Sequence, residues 1–215
     1  MLTVNGAQGK GIGMTSWFLF FAMASVLPGQ NVAPQKVPPE VVASAVSAVS
    51  DLGQEVVLGR YKAAIERMYP TWKERTAKRM GGMEELQKQL DGVAKQMLQR
   101  GISITDFKPS GQPRAFEVFP GKTVETIDGK EIETMRYTKW LVLVPTVTKF
   151  RAMIESDPVA VNIESTGFQV AISEKGADQW SFIDGSAVTV NDLRSLFLTL
   201  PKDLELPPLE KKQIR

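Results

Sequence analysis

Met135-Arg136-Tyr137-Thr138-Lys139-Trp140-Leu141-Val142-Leu143-Val144 is rich in aromatic and β-branched residues, and after Pro145 the same character resumes from Thr146 to Ile154. Such composition reads as strand. The proline points to a bulge or an edge position, because it cannot donate to a ladder. Alternation places Arg136, Thr138 and Trp140 on one face and Tyr137, Lys139 and Leu141 on the other. Antiparallel sheets commonly wet one face, so the expectation is an outer, solvated face carrying Tyr137 and Lys139.

Strand signals continue on both sides of this tract. Ile102 to Thr105 alternates, and Ala115 to Phe119 reads as a second strand. Asp128-Gly129, between Val124–Ile127 and Lys130 onward, is a strong hairpin signal. Val159–Ile163 and Phe168–Ile172 are expected as a further pair of strands, and Trp180–Ile183 closes the sheet. No helical pattern separates these strands, so the sheet is expected to be antiparallel.

Helical spacing dominates the part before residue 101. Val57, Tyr61, Ile65, Met68 and Trp72 fall 4, 4, 3 and 4 apart, which predicts one helix from about Asp51 with a break or kink at Pro70. Gly81-Gly82 ends that unit. Leu86, Leu90, Val93 and Met97 mark a second helix closed by Gly101. Thr189 or Asn191 caps a short helix through Leu198. Helices first and then a meander of about six strands predict an α+β domain, with N-terminal helices packed on a curved antiparallel sheet.

The 215 residues contain no Cys and no His, with 26 Lys+Arg against 24 Asp+Glu. These zeros exclude disulfides, thiolate nucleophiles, Cys/His zinc sites and every histidine mechanism. The net charge of +2 is too small to argue for nucleic acid. No metal, cofactor or catalytic motif is expected.

Residues 1–33 hold one charge, Lys10, ahead of the apolar run Trp17 to Leu27. The run is short for a membrane span, which needs roughly 20 apolar residues, and it fits a signal peptide or N-terminal anchor. Ala22-Met23-Ala24 and Ala33 are alternative cleavage signals, Met14 is an alternative start, and a buried apolar helix is the competing reading. The expected location is periplasmic or secreted. Membrane association follows only if residues 14–27 stay attached as a tether. Residues 34–50 read as linker and short helix, 51–208 as the domain and 209–215 as a frayed tail.

Two groups of residues carry a family resemblance. One is Gly59-Arg60-Tyr61-Lys62-Ala63-Ala64-Ile65 with Met68-Tyr69-Pro70 and Gly81-Gly82. The other runs from Ile172-Ser173-Glu174-Lys175-Gly176 and Trp180-Ser181-Phe182-Ile183-Asp184-Gly185 through Leu193-Arg194, Leu196-Phe197, Leu200-Pro201 and Asp203-Leu204 to Leu206-Pro207-Pro208. Together they resemble exported bacterial proteins of the NTF2-like (cystatin-like) superfamily, over about residues 53–208. The resemblance implies a long helix laid in a curved sheet around a cone-shaped pocket, and a homodimer through the sheet. It covers binding modules as well as lyases and isomerases, and fold does not choose between them. The Asp/His dyad common in the enzymes has no counterpart here.

Pocket candidates are Tyr61, Tyr69 and Trp72 on the helix face and Arg136 and Trp140 on the strand, each set against plain core or surface packing. The cluster Lys73, Arg75, Lys78 and Arg79, and the pair Lys149 and Arg151, are read as solvated charge before being read as sites. The function expected is a non-enzymatic exported domain binding a small ligand or an envelope protein partner. The alternative is a lyase or isomerase using a buried carboxylate and a tyrosine.

Overall fold

The computed structural model describes residues 36–119, 123–134, 136–154 and 157–214, so the expected signal segment 1–33 lies outside the described residues. The architecture is α+β, with helices leading into a six-stranded antiparallel sheet that is not closed into a barrel.

Helix α1, Pro39–Val57, starts with a proline at its first turn, where a missing N–H costs nothing, and Glu40 faces the positive end of the helix dipole. Its buried side is Ala45, Ala48, Val49, Leu52 and Gly53. All but Leu52 are small, so the sequence pattern locates the helix start about a dozen residues late. A boundary at residue 51 falls inside α1.

The single helix expected from Asp51 through Trp72 is in fact three pieces. Gly59, at φ +76, takes the left-handed conformation that ends α1. Helix α2 spans Lys62–Glu66 and α3 spans Pro70–Met80. Between them Arg67, Met68 and Tyr69 run beside the sheet, and Met68 forms a parallel bridge with Phe182. Helix α4, Met83–Gln99, then follows Gly81-Gly82 as the spacing predicts.

The sheet is built on one long ribbon. Strands β5 (Lys139–Ile154) and β6 (Asp157–Glu174) pair in register from Lys139 opposite Glu174 to Ala152 opposite Val161, and the register shifts before Ile154 opposite Asp157. The two strands expected at 159–163 and 168–172 are thus one, and Gly167 continues the ladder opposite Thr146 instead of turning it. Short strands flank the ribbon end to end. β1 (Ser103–Pro109) and β2 (Arg114–Val118) share the outer edge of β5, while β7 (Ser181–Asp184) and β8 (Glu210–Ile214) share that of β6. Strands β3 (Thr123–Ile127) and β4 (Lys130–Thr134) form a separate hairpin whose turn residues Asp128 and Gly129 both have positive φ.

Pro145 sits inside β5 without breaking it. In an antiparallel strand a residue's N–H and C=O point to the same edge. The Pro145 carbonyl accepts from Ser110 N–H at 2.8 Å, so its missing donor faces the gap where the chain passes from β1 to β2.

Both faces of the sheet are covered around residues 140–144. Trp140, Val142 and Val144 pack with Ala171, Trp180, Phe182 and α1. Leu141 and Leu143 pack with Val170, Ile172 and Ile183 beneath Trp72 of α3 and Leu193, Leu196 and Phe197 of the C-terminal part. This double cover explains the unbroken apolar tract, since a strand buried on both sides loses its alternation. Tyr137 and Lys139 are half-buried rather than outward and solvated. The other half of the ribbon keeps one wet face, where Lys149 lies 3.9 Å from Asp106 and Lys212 2.8 Å from Glu164.

Helix α5, Val190–Leu196, is capped by Thr189, whose side chain and that of Asp192 form a reciprocal capping box. Leu200, Leu204 and Leu206 of the following arm join the core as expected. Residues 210–214 are not frayed: they form β8 against Asn162–Thr166.

Candidate binding cleft at the sheet edge

The chain must pass from α1 on one face of the sheet to α3 on the other, and it does so around the β7 edge. Tyr69 N–H donates to Phe182 C=O and Phe182 N–H donates to Arg67 C=O, both at 2.8 Å. These bonds satisfy the edge of β7 and fix residues 67–69 in place. Tyr69 takes an extended conformation (φ −55, ψ 122), and Pro70 then starts α3.

The turn from β6 to β7 forms the facing wall. Ser173 is buried and its hydroxyl donates to the Ala177 carbonyl at 3.0 Å, drawing the turn closed. Trp180 is buried against α1, and its indole N–H donates to Ser44 Oγ at 3.0 Å. Between α1, the 66–71 crossover and this turn lies a cleft of about 1000 Å³.

Its floor carries an ion pair between Lys139 and Glu174, which face each other across β5 and β6. Burial lowers the Lys139 ammonium below the usual lysine range. The Arg67 guanidinium lies over the Phe182 ring, 4.8 Å from its centroid. Asp51 from α1, Glu66 from α2 and Asp178 from the turn complete the charged lining, and all three are exposed. Burial raises the Tyr69 hydroxyl above the usual tyrosine range, against a smaller opposite effect of its hydrogen bond with Thr71.

Of the five pocket candidates from the sequence, only Tyr69 lines this cleft. Its ring also packs against Phe197, centroids 5.6 Å apart. Trp72 is core, 4% exposed, with the Arg79 guanidinium 5.7 Å from its ring centroid. Tyr61 is half-buried and lies outside the cleft lining. Arg136 is exposed and pairs with Glu125 of the β3–β4 hairpin. Trp140 is buried on the α1 side beneath the Lys175 ammonium, 4.6 Å from its ring centroid.

The basic stretch of α3 ties helices together: Arg75 donates to Ser195 Oγ at 2.5 Å and Arg79 pairs with Asp192 at 3.2 Å. Sequence reasoning did not find Arg67, Asp51 or Asp178. Their signal is their nearness to the crossover and the β6–β7 turn, which only the chain path reveals. It also missed Glu117, a buried carboxylate on β2 that pairs with Lys175. Among the described residues no group of acidic side chains is gathered to hold a metal ion, and no helix is long and apolar enough to cross a membrane.

Compared with protein-family models, curated proteins and solved structures, the chain finds no match.

Proposed function

We propose that this protein is an exported, non-enzymatic binding domain of the NTF2-like type, and that its ligand enters the cleft between α1, the crossover and the β6–β7 turn. The observation that carries the reading is the cleft's chemistry. It is roomy, its walls come from three separate elements, and it offers hydroxyl, guanidinium, ammonium and carboxylate groups around a partly apolar floor. The α1 helix laid on the sheet supports the NTF2-like likeness, and the apolar run Trp17 to Leu27 supports export.

The lyase or isomerase alternative needs a carboxylate buried in the pocket beside a tyrosine. The four carboxylates that line the cleft, Asp51, Glu66, Glu174 and Asp178, are all exposed. The buried carboxylate of Glu117 is neutralised by Lys175 and does not line the cleft. This weighs the balance toward binding.

The test is copurification. The full chain, purified from its native host, is expected to release a small molecule detectable by mass spectrometry. Ser47→Trp, on the exposed side of α1 that lines the cleft, obstructs it from that wall and is expected to abolish this release. A species retained equally by both proteins contradicts the cleft as its site.

A further inference from the structure

We infer that the cleft takes a short peptide with both termini free; the inference rests on the cleft being a binding site. The argument is a charge balance. Lys139 is neutralised by Glu174, and Glu66 is paired with Lys62 at 3.3 Å. Three lining charges then remain. Arg67 meets no carboxylate among the described residues, and Asp51 and Asp178 meet no cation there.

Arg67 is half-buried, its guanidinium 4.8 Å from the Phe182 ring centroid, and it lines the cleft. A guanidinium fits a carboxylate by two parallel hydrogen bonds. Asp51 stands on α1 and Asp178 on the β6–β7 turn, and each offers acceptors suited to an ammonium. A purely anionic ligand leaves the two aspartates uncompensated once the cleft is filled, and a purely cationic one leaves Arg67 so. A zwitterion meets both signs at once, pairing Arg67 and one of the two aspartates. Small-molecule pockets run to roughly 300–1,000 Å³, and this cleft is at the upper end, with room for several residues rather than one.

The experiment uses the full-length protein and a mixed tripeptide library with free termini. Matching libraries are N-acetylated, C-amidated or blocked at both ends. Affinity is read by calorimetry, with thermal stabilisation as a second readout. The free library is expected to bind, and blocking either terminus to weaken binding about tenfold or more. Arg67→Met is expected to erase the difference between free and amidated peptides, and Asp51→Asn with Asp178→Asn the difference between free and acetylated ones. Equal binding of free and doubly blocked peptides overturns the inference and leaves the cleft as a binding site. No peptide binding, with a copurified species still lost in Ser47→Trp, also overturns the inference alone. No peptide binding and no copurified species overturns both.

Discussion

Tyr69 and Phe182 are joined through the main chain, Tyr69 N–H to Phe182 C=O at 2.8 Å, at the point where the polypeptide rounds the sheet edge. The bond places the Tyr69 side chain in the core while leaving it on the cleft wall. Burial penalises its ionised form. One of the three tyrosines is therefore expected to titrate above 10.0 in the folded protein. The unfolded chain then loses this proton first, so stability falls as pH rises from 10.0 through the raised folded value. Ultraviolet titration of the wild type against Tyr69→Phe checks this. A high-pH step that survives in the variant contradicts it.

Asp192 works at two joints. Its carboxylate accepts from Thr189 N–H and Oγ1 at the start of α5 and pairs with Arg79 of α3. The Thr189 hydrogen bond is the main cause that holds its carboxyl below the usual range. Losing such a cap costs about 0.5–2 kcal/mol, so Asp192→Ala is expected to destabilise by that order. A depressed carboxylate contributes fully above its ordinary value of 3.8, and the contribution is lost as pH falls through the folded value. The gap between wild type and Asp192→Ala in urea unfolding should thus close in acid. A gap that persists there excludes the carboxylate as its cause.

Two glycines are forced by neighbours rather than by backbone angle. A Cβ on Gly185 meets the Phe168 carbonyl oxygen at 2.5 Å, and one on Gly53 meets the Phe107 ring at 2.1 Å. Overpacking costs about 1–3 kcal/mol. Gly185→Ala is expected at the upper end, because a backbone atom in a paired strand cannot yield. Gly53→Ala is expected to be milder, offset by about 1 kcal/mol of helix propensity and by movement of the ring. Denaturant unfolding of the two variants gives the order, and Gly53→Ala as the more damaging change contradicts this packing.

Strand β8 covers the edge of β6 at Asn162–Thr166. Its Lys212 is held above the usual lysine range by Glu164. Removing residues 209–215 bares a row of unpaired strand groups, and exposed edges recruit other strands. The truncated chain is expected to melt lower and to self-associate by light scattering. A truncated chain that stays monomeric with unchanged Tm shows that β8 adds nothing.

Much of this fold is legible in the residues. The Asp128-Gly129 turn, the Gly81-Gly82 break, the α4 stripe and the leucines of the C-terminal arm each follow from local chemistry. The failures share a cause, since each depends on a distant partner. Ala45, Ala48 and Val49 are too small to announce a helix until Trp140 and Trp180 cover them. Tyr61, Met68 and Trp72 keep helical spacing although Phe182 pulls the segment between them into an edge pairing. The strands expected at 159–163 and 168–172 look separate until Thr146 is seen opposite Gly167. The candidate site was the least legible part. Aromatic residues drew attention to Trp72 and Trp140, which are core, whereas the cleft is lined by ordinary charged residues that the crossover brings together.

Hydrogen exchange on the full-length protein, with and without the small-molecule extract of its native host, tests the cleft most directly. Protection confined to the α1 segment 44–51, the crossover 66–71 and the turn 173–181 is the expected result. Protection centred instead on the charged face of β1, β5 and β8, with these segments unchanged, contradicts the cleft as the binding site.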